Sequence, residues 1–303
     1  MLELIVYGII YGSIIALGAI GVTLIYGILR FANFAHGDLM TVGAYLALFF
    51  VQVLFPMLGV PQERFGGTSF GWPLILALPL AAGGTALVAI ALDQFFYRPL
   101  RQRRASPVIL AMASLGAAFI VRNLIYIIWG PDKINYFPGL VRPAWQLPFD
   151  VRLRPDELII FVVALVLVVS LYLFLQKTKL GKAMRATADN PDLARITGIN
   201  TERVRIWTWG IGAGLAAIAG ILYGVNALLY PEMGWGFLLP LFAAAILGTV
   251  GNPYGALAGG LIIGIVQRIS TLWLNPAYQP AVAFLVLIVV LLVRPQGLFG
   301  GRS

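Results

Sequence analysis

The sequence contains no cysteine and only one histidine. A chain without cysteine forms neither disulfides nor thiolate metal sites, and a single histidine supplies too few ligands for zinc. The sequence also lacks a Ser/His/Asp arrangement, a pair of carboxylates and a Walker-type phosphate loop. It therefore predicts a protein without a metal ion, without a cofactor and without catalytic residues of its own.

Charge is scarce as well. Charged residues make up 11% of the 303 residues and hydrophobic residues 60%. This composition is too apolar for a soluble domain, and several runs are long enough to cross the hydrocarbon core of a bilayer. The net charge of +9 comes from basic residues scattered between apolar runs, which membrane topology explains better than nucleic-acid binding. The first residues, MLELIVYGII, carry no basic region, so we expect no cleaved signal peptide.

The apolar runs predict an all-α fold, a polytopic transmembrane helical bundle of about eight membrane segments in one transmembrane domain, residues 1–303. The predicted segments are residues 3–29, 39–55, 73–96, Pro107–Trp129, 158–175, 206–229, 236–273 and 281–293. The seventh stretch is interrupted around Gly251, Asn252 and Pro253. We interpret it as a broken or re-entrant segment in which two half-helices meet at a buried break.

Two of these segments carry small residues at every fourth position, which allows another helix to approach closely. The stripes are Gly8, Gly12 and Ala16 in the first segment, and Ala216, Gly220 and Gly224 in the sixth. We expect both faces to be buried against other helices.

The long polar segment 176–206 predicts a coupling element outside the membrane. Asn190 stands at a helix N-cap, Pro191 at the first helical position, Asp192 near the positive end of the helix dipole and Gly198 at a left-handed stop. These signals indicate a helix of about two turns that docks a soluble partner, although a simple connector is the alternative. The coupling candidates are Asn190, Pro191, Asp192, Arg195 and Gly198. Basic residues that follow the preceding span favour the cytoplasmic side for this segment. The larger number of basic residues on that side, thirteen against six, places the C-terminus there too, and counting crossings then puts the N-terminus outside.

Polar residues between the first two segments are candidates for a translocation path. Asn33, His36 and Asp38 are concentrated within nine residues of one another at 30–38. They either line a path or cap helix ends, with Asp38 as a cap for the second segment. Burial would favour a neutral His36 and the nearby Asp38 a charged one, so the sequence leaves its state open.

The fourth segment is interrupted by Arg122 and Asn123. At 1.5 Å per residue, Arg122 lies about 22 Å from Pro107, closer to the outer interface than to the centre. There its side chain can extend outward to water. The pair is either a structural anchor or part of the path. Asn226 completes the candidate path residues, which are Asn33, His36, Asp38, Arg122, Asn123 and Asn226.

Four stretches resemble the first permease subunit of the branched-chain amino acid ABC importer family. They are residues 24–45 (with LIYG, NFAHGDL and GAY), 181–200, 243–264 and 294–300 (RPQGLFG). The resemblance implies pairing with a second related permease in the bacterial inner membrane, surrounded by membrane lipid. It also implies cytoplasmic ATP-binding subunits that dock at residues 190–198, and a periplasmic substrate-binding protein that delivers leucine, isoleucine or valine. ATP hydrolysis then belongs to separate subunits.

Three alternatives remain at this stage. Urea and amide importers share the same motifs, so the substrate is open. An ion-coupled secondary transporter is disfavoured because the acidic residues cluster at the predicted span ends, with none in the middle of a crossing. A membrane scaffold subunit would not need Arg122, Asn123 or Asn226 at depth.

Overall fold

The computed structural model describes residues 1–138, 143–147 and 151–300. The last three residues of the predicted domain lie outside this range. The described helices are α1 (Leu2–Leu29), α2 (His36–Met57), α3 (Trp72–Gln102), α4 (Pro107–Trp129), α5 (Pro155–Lys177), α6 (Lys179–Asp189), α7 (Pro191–Ile196), α8 (Thr201–Asn226), α9 (Met233–Leu247), α10 (Pro253–Ser270) and α11 (Pro276–Val293). A short antiparallel hairpin joins β1 (Trp145–Leu147) and β2 (Val151–Leu153).

Seven of these helices, α1 to α5, α8 and α11, are long and apolar enough to cross a membrane, and α9 is a shorter apolar helix. The predicted polytopic helical bundle is therefore confirmed. Some bounds follow directly from local signals. For example, α4 begins at Pro107, where the Ser106 side chain accepts a hydrogen bond from the Ile109 amide, and it ends before Gly130 in a left-handed conformation.

Helix α1 lies at the centre of the bundle, with 89% of its apolar window buried. It packs most closely against α10. A Cβ placed on Gly12 would lie 2.9 Å from the Gly260 carbonyl oxygen, and one placed on Gly260 would lie 2.5 Å from the Ala16 Cα. The stripe predicted in the first segment is confirmed as a close helix contact, since no larger side chain fits between these backbones.

The second stripe, on α8, is also buried against other elements. A Cβ on Gly220 would lie 2.0 Å from the Met40 carbonyl oxygen of α2. One on Gly224 would meet Leu229 and Tyr136, and Ala216 is fully buried. The small residues thus let α2 and α8 touch through their backbones.

The connector between α1 and α2 runs back into the bundle. Helix α1 ends at Leu29, and Arg30 adopts a left-handed conformation (φ 58°). The chain then turns back along α1, so that the His36 ring lies 3.1 Å from the Gly18 carbonyl oxygen, about 16 Å before the end of that helix. The segment between the first two helices therefore does not lie at the end of the bundle. This irregular backbone lies deep in the bundle, where surrounding helices shield it from lipid.

The chain does break at Gly251, Asn252 and Pro253, but the break is not buried. Asn252 caps α10 by accepting hydrogen bonds from the Tyr254 and Gly255 amides at 3.1 and 3.2 Å. Val250 and Gly251 are exposed. Helices α9 and α10 lie side by side as an antiparallel hairpin, with Gly248 against Gly255. The expected meeting of two half-helices is therefore corrected to a surface turn, because the Asn-Pro cap starts a new helix in the opposite direction.

The end of the bundle opposite α7 carries a folded cap. Ile134 and Leu229 form a backbone bridge, and the Asp156 carboxylate accepts hydrogen bonds from the Ser69 amide and hydroxyl, both at 2.7 Å. The Tyr136 hydroxyl donates to the Ala44 carbonyl oxygen at 2.8 Å. Burial raises the pKa of the Tyr136 phenol well above its usual value, so it stays a donor.

Candidate functional site

The predicted coupling element is a short, doubly capped helix. The Asn190 side chain accepts hydrogen bonds from the Asp192 and Leu193 amides at 3.1 and 3.0 Å. Pro191 occupies the first helical position of α7. Gly198 follows with φ +86°, and a Cβ there would meet nothing within 4 Å. The requirement for glycine at this position is thus conformational and not steric.

Helix α7 presents large aliphatic side chains to solvent. Leu193 is 58% exposed and Ile196 83% exposed, whereas Ala194 between them is buried. Asp192 and Arg195 are exposed beside them. Apolar side chains rimmed by charges on a short surface helix are typical of a protein-binding surface.

The segment 176–206 also contacts parts of the bundle that the sequence analysis missed. The Arg30 guanidinium donates to the Ala188 carbonyl oxygen at the end of α6. The Gln176 amide donates to the Tyr254 hydroxyl at 3.1 Å. A cavity of about 340 Å³ separates α6 from α1 and the α9–α10 turn; its lining includes Thr23, Gly27, Arg185, Asp189 and Asn252. The segment 176–206 is therefore hydrogen-bonded to the connector after α1 and to the first turn of α10, in addition to its chain links with α5 and α8.

A buried ion pair joins α2 and α4. Arg122 donates through Nε and Nη2 to the two Asp38 carboxylate oxygens at 2.9 and 3.0 Å. Asp38 is 0% exposed and Arg122 8% exposed. The Arg122 guanidinium also lies 4.7 Å from the Trp235 ring centroid and 5.5 Å from that of Phe119. This bidentate arrangement, with two neighbouring aromatic rings beside the guanidinium, fixes both charges.

Two expectations about these residues are wrong. Asp38 does not cap the second segment, because Ala35 occupies the N-cap position of α2 and no side chain caps it. Arg122 does not extend outward to water, because the buried Asp38 carboxylate holds it inside. Asp38 is fully buried and lies two residues after His36, which contacts the middle of α1. The premise that no carboxylate lies deep in the bundle therefore fails. The hydropathy pattern gave no sign that α2 begins there.

His36 packs into α1 and is not paired with Asp38 in this structure. Its ring is fully buried, and a Cβ on Gly21 would lie 2.9 Å from it. Nε2 lies 3.1 Å from the Gly18 carbonyl oxygen. Among the described residues, Nδ1 has no hydrogen-bond partner. The ring thus fastens the start of α2 to the middle of α1.

The three asparagines among the path candidates, Asn33, Asn123 and Asn226, do not contact the ion pair. The Asn33 side chain accepts from the Ala35 amide at 3.1 Å and shapes the turn before α2. Asn123 is exposed, and its side chain donates to the Phe119 carbonyl oxygen on its own helix at 2.7 Å. Asn226 is half-buried at the last residue of α8. Of the six path candidates, the structure joins only Asp38 and Arg122 directly.

Trp235 is the residue that the sequence analysis missed at this site. It follows Gly234, whose amide donates to the Thr41 hydroxyl at 3.0 Å. A Cβ on Gly234 would lie 1.8 Å from the Gly37 carbonyl oxygen. The first turns of α2 and α9 therefore touch at two glycines. The run MGWGF, a tryptophan between two glycines, was the available signal.

Within the part of the chain that the structure describes, no group of three or more histidine, aspartate or glutamate side chains is placed to hold a metal ion. The charged groups at depth are arranged as a pair and not as a ligand set. The site is suited to binding and conformational coupling.

A bundle of apolar helices with a buried ion pair inside it and an exposed, capped helix at one end defines a polytopic membrane protein. The sequence comparisons identify which one. The family described as branched-chain amino acid transport system, permease component, matches residues 4–291. The chain belongs to this family.

The curated relatives are similar over almost their whole length. The chain is 32% identical to the high-affinity branched-chain amino acid transport system permease protein LivH of Escherichia coli K12, over 97% of this chain and 93% of the relative. It is also 32% identical to the corresponding protein BraD of Pseudomonas aeruginosa, over 99% and 95%. A probable LivH of Methanocaldococcus jannaschii is 31% identical over 96% and 90%. No solved structure matches the chain.

Proposed function

We propose that this chain is a permease subunit of an ATP-driven importer that moves leucine, isoleucine and valine across the bacterial inner membrane. The observation that carries the proposal is the family match over residues 4–291 in a chain that exposes a capped helix, α7, with Leu193 and Ile196 turned to solvent. The chain itself performs no covalent chemistry. ATP is hydrolysed on separate cytoplasmic subunits that dock at α7.

The proposed topology puts α7 and the C-terminus in the cytoplasm. Basic residues at the α7 end of the bundle support it, since positive residues accumulate on the cytoplasmic side. They are Arg98, Arg101, Arg103, Arg104, Lys177, Lys179, Lys182 and Arg185. The folded cap at the opposite end then faces the periplasm, where a substrate-binding protein delivers the amino acid.

A second, related permease completes the membrane part of the proposed importer. Only 11% of the apolar window of α11 and 22% of that of α5 is buried in this chain. These faces need lipid or another apolar protein surface. Pairing of two permeases would create a path between them, which alternately opens to each side as the ATP-binding subunits move.

Ion-coupled transport is the rival mechanism. Asp38 is the buried carboxylate that such a mechanism would use, but both of its oxygens accept hydrogen bonds from Arg122. A carboxylate held in this way is a poor site for a coupling proton or Na⁺. Family membership adds to this argument.

Uptake by the reconstituted complex tests the proposal. The chain, its second permease and the ATP-binding subunits are reconstituted in vesicles with ATP inside. The binding protein and labelled leucine, isoleucine, valine or urea are added outside. The proposal expects amino acid uptake that requires ATP and is unaffected by ionophores. Uptake of urea alone assigns the chain to the urea or amide branch. Uptake that persists without ATP and collapses with an ionophore overturns the proposal.

A further inference from the structure

The cavity of about 340 Å³ between α6, α1 and the α9–α10 turn is lined by two kinds of side chain. The apolar part of the lining consists of Leu24, Ile28, Leu175 and Met184. The polar part consists of Thr23, Arg185, Asp189, Asn252 and Tyr254. Small-molecule sites occupy about 300 to 1,000 Å³ and combine an apolar lining with a few polar groups. The cavity thus has the size and the lining of a site for a small molecule.

Thr23 brings a buried hydroxyl without a partner to the lining of this cavity. Thr85, Thr187 and Thr208, which are buried in other helices, each donate to the carbonyl oxygen four residues earlier, at 2.8 Å. Thr23 is also fully buried, but its hydroxyl forms no hydrogen bond with any described residue. Since buried polar groups are normally paired, this hydroxyl is suited to binding a polar group inside the cavity.

Arg185 and Asp189 bring charges of both signs to the same cavity. They are four residues apart on α6, so they share one face of that helix. Both line the cavity and both are exposed, so a ligand reaches them from water. Within the described residues neither forms an ion pair. Unlike the buried pair of Asp38 and Arg122, these two side chains are therefore available to a charged ligand.

Helix α10 begins at the wall of this cavity. Gly251, Asn252 and Pro253 belong to the lining, and the N-terminus of a helix carries partial positive charge. Asn252 uses its side-chain oxygen to cap α10, so its amide group is left to donate. Together with Arg185, these groups favour a carboxylate of the ligand, whereas Asp189 favours an ammonium group.

We propose that this cavity is a regulatory site for an α-amino acid zwitterion with an aliphatic side chain, which binds from the cytoplasm and inhibits the importer. The inference rests on the proposed function, which puts α6 in the cytoplasm and delivers amino acid there. The carboxylate of the ligand binds Arg185 and its ammonium group binds Asp189. Its aliphatic side chain packs against Leu24 and Met184.

Inhibition follows from the position of the cavity. Its walls belong to α1, at the centre of the bundle, and to α6, in the segment 176–206. A ligand that contacts both walls binds best at the spacing they have here, so it stabilises the conformation with that spacing. In the proposed importer the ATP-binding subunits move α7 and the adjoining α6 relative to the bundle, and the bound ligand opposes this movement. Import therefore slows when its product accumulates.

Two other roles for the cavity are a site for a lipid acyl chain and a space in which α6 moves. An acyl chain gains nothing from Arg185, Asp189 and the Thr23 hydroxyl, because it carries no polar group. A space for movement needs no charged lining. The convergence of two unpaired charges of opposite sign and an unpaired buried hydroxyl favours a zwitterion.

Uptake into preloaded vesicles tests the site. The complete complex imports labelled leucine from outside, with ATP inside and with or without unlabelled leucine inside. Internal leucine should lower the initial rate at least about fivefold, which is the lower end of typical allosteric coupling. Internal leucinamide lacks the carboxylate and internal 4-methylpentanoate lacks the ammonium group, so both should inhibit far less.

Variants of the lining connect the inhibition to this cavity. Arg185→Gln and Asp189→Asn each remove one exposed charge, and each should abolish inhibition while uptake without internal leucine stays unchanged. Lys182→Gln is the matched control, because Lys182 is exposed on the same helix but does not line the cavity. Gly27→Val fills the cavity, since a Cβ there would lie 3.4 Å from its nearest neighbour, the Gly251 Cα, and it should also abolish inhibition.

The outcomes separate the inference from the proposed function. A wild-type complex that takes up no amino acid, even without internal leucine, refutes the proposed function itself. A transporting wild type whose initial rate ignores internal leucine overturns the inference. Inhibition that persists in Arg185→Gln and Asp189→Asn overturns it too, because the inhibitor then acts elsewhere. Loss of uptake without internal leucine in both charge variants assigns the two charges to transport itself, which also contradicts a regulatory site.

Discussion

Arg122 and Asp38 show how a single pair of residues joins distant parts of this chain. They are 84 positions apart in the sequence, yet their side chains form two hydrogen bonds deep in the bundle. Nothing in the local sequence links them. The sequence analysis identified both residues but could not pair them, because pairing depends on how far α2 is inserted beside α1.

The pair predicts a specific pattern of stabilities. Arg122→Leu leaves a buried, unpaired carboxylate and should destabilise the protein by about 3–5 kcal/mol. Asp38→Leu/Arg122→Leu removes both charges and should recover most of this loss. Thermal unfolding in detergent measures both variants, with Asn123→Leu as the control because Asn123 bonds only within its own helix. Equal losses in the single and the double variant would show that an unpaired Asp38 carboxylate is not the cause of the destabilisation.

His36 gives a second prediction at the residue scale. His36→Gln retains a donor for the Gly18 carbonyl oxygen, which now lies 3.1 Å from the ring, whereas His36→Leu leaves that carbonyl without it. We expect His36→Gln to keep most uptake between about pH 6 and 8 and His36→Leu to lose it. The measurement is initial uptake across that range. Near-normal uptake by both variants would limit His36 to a packing role.

At the scale of elements, local sequence signals predict where the helices begin and end. They do not predict how deep in the bundle the connecting segments lie. The bounds of α4 agree with the apolar run, and α7 is present with the predicted caps. The connector at 30–35 lies deeper in the bundle than the sequence indicated, and the turn at 248–252 lies at the surface although a buried break was predicted. Hydropathy shows that a residue avoids water, but not whether protein or lipid surrounds it. Small-residue spacing, by contrast, correctly identified two helix contacts.

The left-handed conformation of Gly198, just after α7, leads to a prediction about the coupling of ATP hydrolysis to uptake. Gly198→Val forces a β-branched residue into φ +86°, which costs roughly 1–2 kcal/mol or more, and should weaken the coupling of ATP hydrolysis to uptake. Gly198→Asn should be milder, since asparagine tolerates this conformation. The ratio of substrate moved to ATP hydrolysed measures coupling. Gly116→Val is the matched control, because a Cβ there also meets no atom within 4 Å and its φ is not positive. A coupled Gly198→Val complex contradicts the assignment.

The close approach of the α2 and α8 backbones at Gly220 leads to a prediction about assembly of the complex. Gly220→Ala places a methyl group 2.0 Å from the Met40 carbonyl oxygen, so α2 and α8 must separate, at a cost of about 1–3 kcal/mol. The yield of assembled complex should fall, with leucine-to-valine preference unchanged in what remains. Gly214→Ala is the control on the same helix, because its nearest neighbours would be 3.9 Å away. Normal assembly with altered preference would move selectivity to this stripe.

At the scale of the whole molecule, burial divides the bundle into a centre and a periphery. Helices α1 and α8 have 89% and 72% of their apolar windows buried, whereas α11 has 11%. The central helices carry the glycine contacts, and the ion pair joins α2 to the less buried α4. The peripheral helices expose apolar surface that lipid or another protein can cover. The α7 surface lies at one end, connected to α1 by Arg30. If ATP-binding subunits dock at α7 as proposed, this contact links them to a helix at the centre of the bundle.

The absence of cysteine permits a direct test of the central claim, that the chain is driven by ATP-binding subunits docked at α7. Ile196→Cys introduces the only thiol of the chain, to which a photoactivatable crosslinker is attached in the assembled complex. Ile127→Cys, also strongly exposed but on α4, is the control. The account predicts a covalent adduct with the ATP-binding subunit from position 196 and none from position 127. A complex that hydrolyses ATP and imports leucine without an adduct at position 196 would contradict it.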